Sequence, residues 1–236
     1  MERAEDSEHT DDGQRAGNPR RAPYLELAVP LAEPGSGIAA DRPDLHPDPD
    51  DLVAAVGAGM QALHGTAVER FPVDEAGAPV PSGWPVIAER CRAAVAAGLV
   101  DPGRLPEPYR RYTAAELLDL LLDGRPDSGD QPELVVCHGR PTLDRLLVHN
   151  GRFVGFTDSA NALPADRHLD LAIVHQSVQQ VFGPEAVFRF YASYGRDPNV
   201  ATLEHYVLVS HLLGAGSGAE PAGRAGTAGS ADADGG

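Results

Sequence analysis

The residues of this chain that could do chemistry are concentrated between positions 137 and 172, in "CHGRPTLDRLLVHNGRFVGFTDSANALPADRHLDLA". A short apolar strand runs into a turn at His138-Gly139, a hairpin follows, and the carboxylate of Asp158 ends the second hairpin strand. Two further carboxylates, Asp166 and Asp170, flank the start of a helix. Between the turn and the hairpin stand Arg140 and Arg145. A guanidinium is permanently charged, so neither can accept a proton, and each repels a nearby cation. Asp144 adjoins Arg145, but one step along an extended segment turns a side chain to the opposite face. The expected role of Asp144 is therefore a structural ion pair with Arg140 or Arg145. The histidines show no H-x-H or H-x-x-x-H pairing, and His168 and His175 lie two helical turns apart, too far to share one ion. A metal-hydrolase site is not indicated.

Helices and a hairpin must position these groups. Leu52, Val53, Val56, Met60 and Leu63 recur at helical spacing in "DLVAAVGAGMQALHG", with Asp50 or Asp51 as the expected cap and Gly65 as the stop. A second helix is expected in "WPVIAERCRAAVAAGLV", with Val86, Ile87, Cys91, Val95 and Leu99 along its apolar side. "TAAELLDLLLDG" gives a third, with Thr113 as N-cap and Glu116 completing a capping box. "ELVVCHG" reads as a strand, and "RLLVHNGRFVGFTD" as a hairpin turning at Asn150-Gly151. Three more helices are expected, over 167–181, over 184–194 and in "NVATLEHYVLVSHLL". Near the start, Tyr24 to Val29 reads as a short strand, and "FPVDEAGAPVPSG" as a loop.

The composition sets limits on the whole. Of 236 residues, 42% are apolar, enough for a core, whereas 1–22 are polar and 214–236 are built from Gly, Ala, Ser and Asp. Disordered ends around a folded segment 23–213 are the expectation. Neither a signal peptide nor a membrane span is read at the start, and a net charge of −16 repels nucleic acid and anionic membranes. Cys91 and Cys137 have no metal-ligand spacing, so free thiols in the cytoplasm are expected. All 19 basic residues are arginine. A mechanism that needs a lysine cannot be completed by this chain alone.

From Tyr24 to Leu213 the chain resembles the C-terminal lobe of the aminoglycoside phosphotransferase family, bacterial relatives of protein and choline kinases, particularly the kanamycin/neomycin type. "AVAAGLVD", "ELVVCHG", "NGRFVGF" and "ADRHLDLAI" carry the likeness. The family's catalytic loop reads H-G-D-x-x-x-x-N, followed by an Asp after the hairpin and then D-R-x-x-D-[IL]-A. This sequence keeps His138, Gly139, Asp158, Asp166, Arg167, Asp170, Leu171 and Ala172 in register, but has Arg140 for the Asp and Arg145 for the Asn.

The resemblance implies an α+β fold of the protein-kinase-like C-lobe type, mainly helical with a small β-hairpin, and with the N-terminal lobe missing. It implies ATP-dependent phosphorylation of a hydroxyl on an aminoglycoside or similar small molecule, with Mg2+ and ATP as cofactors. Tyr24, Leu25, Glu26 and Leu27 would form the nucleotide hinge, Asp158 the metal ligand, and His138, Gly139, Asp166 and Asp170 the loop scaffold. Since Arg140 occupies the base position, no catalytic residue is intact. The substrate side departs as well: "PGRLPEPYRRY" is nearly neutral where the relatives are acidic, and Asn161 replaces an Arg. The expectation is thus a family member that is catalytically inactive. The alternatives are a pseudo-kinase remnant that binds a small cationic ligand or a protein covering the missing lobe, and a product without selected function. Neither nucleic acid nor membrane is an expected partner.

Overall fold

The computed structural model describes residues 29–71, 79–125 and 133–214. The ends read as disordered, most of the loop after Phe71, and Tyr24, Leu25, Glu26 and Leu27 of the expected hinge lie outside them. The described part is mainly helical. Six helices occur: α1 Pro49–His64, α2 Gly83–Ala96, α3 Ala114–Asp123, α4 His168–Phe182, α5 Pro184–Tyr194 and α6 Val200–Leu212. They pack beside five short strands, β1 Ile38–Ala39, β2 Leu134–Cys137, β3 Leu146–His149, β4 Arg152–Phe156 and β5 Leu163–Asp166. Among the described residues no helix is long and apolar enough to cross a membrane.

The strands form two antiparallel sheets, β1-β3-β4 and β2-β5. Asn150 and Gly151 both take positive φ, as a two-residue hairpin turn requires, and β3 and β4 pair across them from His149 with Arg152 to Leu146 with Phe156. Pairing β2 with β5 sets Cys137 opposite Leu163 and Leu134 opposite Asp166. The chain that leaves β2 and the chain that enters α4 are thereby held side by side. Pro164 hides β5 from a sequence reading, because proline is tolerated in a strand only where no ladder donor is needed, as at an edge.

Helix α1 lies against α5 and β4, and α4 packs on both α5 and α6. Leu52, Val53, Val56, Met60 and Leu63 are all buried, in contact with a core that includes Phe156, Leu169 and Phe190. The Thr113–Glu116 capping box closes the N-terminus of α3. Two local expectations fail. The cap of α1 is Asp48, whose carboxylate accepts the Asp50 N–H at 2.7 Å, because Pro49 supplies a preformed first helical residue and sets the start earlier. Leu99 is not on the apolar side of α2: the helix ends at Ala96, the chain reverses through Gly98, and Leu99 is left 76% exposed while Val100 is buried. Val29, the end of the expected first strand, is buried but lies in a bend.

The α1–α5 crossing depends on Gly57, where an added Cβ would sit 2.6 Å from the Phe190 carbonyl oxygen and 2.8 Å from Ser193 Cβ. Gly57→Ala is expected to destabilise the fold by about 1–3 kcal/mol despite alanine's better helix propensity, read as a lower denaturant midpoint. An unchanged or higher midpoint would show that the crossing is loose. Burial also lowers the pKa values of His138, His175, His205 and His211. The unfolded chain therefore binds more protons below the ordinary histidine value of about 6.5. Stability should be fully present above that pH and fall as pH drops from about 7 toward 5. Thermal melts in about 0.15 M salt, where surface repulsion is screened, test this, and a flat profile across the window would contradict it.

Candidate functional site

The loop after β2 is fixed from below by one buried carboxylate. Asp170, in the first turn of α4 and fully buried, accepts the backbone N–H groups of His138 at 2.7 Å and Gly139 at 2.8 Å. Its Oδ2 also lies 3.2 Å from His64 Nε2 of α1, whose Nδ1 faces the Tyr194 hydroxyl of α5 at 2.8 Å. Arg167 reaches the same hydroxyl at 3.4 Å and pairs with Glu133 at 2.6 Å. Gly139 is required by space as much as by its φ of 81°, since a Cβ there would lie 2.2 Å from the Asn161 carbonyl oxygen. The 138–140 loop thus rests directly on the segment that follows β4.

His138 is wholly buried against Phe156, with ring centroids 4.6 Å apart, and its Nδ1 accepts the Arg140 N–H at 3.3 Å. Burial lowers its pKa, against the pull of Asp170 and Asp158, so the ring is held neutral beneath the loop. Asp166 is engaged elsewhere: its carboxylate accepts the His168 backbone N–H at 2.9 Å and faces His168 Nδ1 at 2.7 Å. Burial alone would raise its pKa, but these hydrogen bonds hold it below the usual carboxylate range.

Asp158 and Arg145 face each other. The Arg145 guanidinium is hydrogen-bonded to Asp158 Oδ2, and the pair is largely shielded from solvent, with side chains 23% and 14% exposed respectively. Backbone pairing sets this up, because Thr157 N–H donates to the Arg145 carbonyl at 2.9 Å. The ion pair expected for Asp144 does not form among the described residues. Residues 143–145 make a 3-10 turn in place of an extended segment, which leaves Asp144 exposed and points Arg145 at Asp158. Arg140, in the base position, is part-buried, has an enclosed Nε without a hydrogen-bond partner, and makes no ion pair among the described residues.

A magnesium ion does not fit this arrangement. It needs oxygen ligands in near-ideal octahedral geometry, whereas here one carboxylate oxygen already holds a guanidinium. One other group, His64, Cys137 and Asp170, has ligand atoms within 4.8 Å of one another. Asp170 and His64 are spent on the loop and on Tyr194, and burial holds the Cys137 thiol protonated, so this cluster is a structural knot. Two participants give no signal in the sequence. His64 is one of several scattered histidines, and Arg90 of α2 reaches the Asn161 carbonyl oxygen, 3.3 Å away, across a long stretch of chain.

The model of the phosphotransferase enzyme family (APH) matches residues 12–206. The chain is 32% identical over 185 residues to streptomycin 3''-kinase of Streptomyces griseus, covering 75% of this chain and 65% of that protein. It is 30% identical over 167 residues to an aminoglycoside 3'-phosphotransferase of Escherichia coli, covering 69% and 56% respectively. The chain therefore spans somewhat more than half the length of these relatives. Among solved structures, an aminoglycoside 3'-phosphotransferase of type VIII superposes with a TM-score of 0.63 at 25% identity, covering 80% of this chain and 75% of that one. APH(3'')-Id of Streptomyces rimosus, solved in complex with ADP and streptomycin, shares the fold with a TM-score of 0.59 at 24% identity over 75% of this chain and 67% of its own. The extent of the family match, together with these relatives, shows that the chain belongs to the aminoglycoside phosphotransferase family.

Proposed function

We propose that this chain is a member of the aminoglycoside phosphotransferase family in which phosphoryl transfer is disabled, and that it acts by binding. The family activity, ATP-dependent phosphorylation of an aminoglycoside hydroxyl, requires a carboxylate to orient the hydroxyl and metal ligands to neutralise the phosphates. The observation that carries the reading is the Arg145–Asp158 ion pair. A guanidinium on the remaining metal ligand supplies one positive charge where the reaction needs a dication, and repels any dication brought beside it.

The base position supports the same conclusion. Arg140 cannot accept a proton, and among the described residues no neighbouring carboxylate is placed to replace it. Asp144 points into solvent, Asp166 is bound by His168, and Asp170 holds the loop backbone. The loop anchor, by contrast, is intact, with Asp170 accepting the His138 and Gly139 N–H groups. What remains is a folded loop with altered charge, suited to holding a small molecule or a partner rather than to turnover.

The test is direct. Incubated with ATP, magnesium and kanamycin or streptomycin, the full chain is expected to release no ADP above background in a coupled assay. A rate abolished by Asp158→Ala would overturn the reading. Arg145→Asn removes the blocking cation and places an amide oxygen beside Asp158, so magnesium binding absent from the parent should appear in the variant by calorimetry.

A further inference from the structure

One aromatic joint ties the start of α2 and the end of α3 to α6. The His205 ring of α6 lies 5.1 Å from the ring of Trp84, in the first turn of α2, and Tyr206 meets the same indole edge-on at 6.4 Å. The Arg125 guanidinium, just past α3, sits 5.2 Å over the Trp84 ring. His205 is buried, and its Nε2 is enclosed without a hydrogen-bond partner among the described residues. Helix α6 packs mainly on α4, so its contacts with α2 and α3 are the thinner seam.

We propose that His205 is a pH-controlled latch: neutral, it lets α2 and the end of α3 close on α6, and charged, it parts them. A charge on this ring would be buried beside a permanent guanidinium without a free counter-ion. The titratable and charged groups around it are Arg125 after α3, Asp166 of β5, Tyr206 of α6 itself, and His168 of α4, which stacks on Tyr206. Helix α2 offers the uncharged indole. Asp166 is already held by the His168 N–H at 2.9 Å and faces His168 Nδ1 at 2.7 Å, and burial keeps the Tyr206 hydroxyl protonated. Burial foremost, and then Arg125, lower the pKa of His205, while the Gly124 carbonyl and Asp166 act the other way without offsetting them. The closed joint therefore resists the proton, and opening, which returns the ring to water, accepts it. Closure is fully favoured above the ordinary histidine value of about 6.5 and weakens as pH falls below it. Further along α2, Arg90 reaches the Asn161 carbonyl at 3.3 Å, so release of α2 loosens the segment on which the 138–140 loop rests.

Trp84 is the only tryptophan of the chain, which makes the joint directly visible. Acrylamide quenching of its fluorescence in the full chain, followed from about pH 8 to about pH 5, should strengthen about twofold or more on the acid side while far-UV circular dichroism holds. In His205→Gln, which keeps a neutral polar side chain, the rise should be absent. Hydrogen exchange of the unsubstituted chain, corrected for the intrinsic effect of pH, needs no variant. Protection is expected to fall at the start of α2 and the end of α3 and to hold in α1 and α4, because the release is local and precedes the loss of global stability. Quenching that is flat with pH, a rise that persists in the variant, or protection lost in α4 at the same pH as in α2 would overturn the latch.

Discussion

The site depends on the carboxylate of Asp170. Burying an ion from water is costly unless its lone pairs are filled, and here they are filled by two adjacent backbone N–H groups of the loop and by His64. Asp170 sits in α4 and its partners come from α1 and the chain after β2, so these three are tied at one point. Removing the charge would leave two buried donors unsatisfied, and removing the loop conformation would strand the charge. This mutual requirement fixes the loop whatever side chains it carries. Among the described residues the partners of Asp170 are the His138 and Gly139 backbone and His64, so the side chains of Arg140 and Arg145 contribute nothing to the anchor. The fold has accepted their charges because the positions that hold it up are different from the positions that would react.

The same separation governs what could be read from the sequence. Local signals with a geometric mechanism were legible: Thr113 with Glu116, Asn150 with Gly151, and the apolar spacing of α1 all form the elements they imply. Errors arose where a neighbour redirected the chain. Pro49 moved the cap of α1 to Asp48, and the reversal at Gly98 put Leu99 into solvent. Nothing local marks β5, which exists because β2 pairs with it.

In the site, positions were legible and partnerships were not. The resemblance to the family's loop placed Arg140, Arg145 and Asp158, but the tight 143–145 turn decides that Arg145 meets Asp158 and that Asp144 meets solvent. His64 and Arg90 enter through long-range packing, which leaves no trace in the spacing of a single chain.

The two cysteines divide the molecule in another way. Cys91 lies inside α2 and Cys137 at the end of β2, next to His138, and both are fully buried. Burial pushes the Cys91 thiol to about 12 and the Cys137 thiol up as well, so neither reacts while the protein stays closed. Each becomes a clock for its own region: labelling of Cys137 times the opening of the β2 loop, and labelling of Cys91 times the loosening of α2 from the core. The ratio of the two rates is a measure, internal to one molecule, of whether the anchored loop moves with the body or ahead of it.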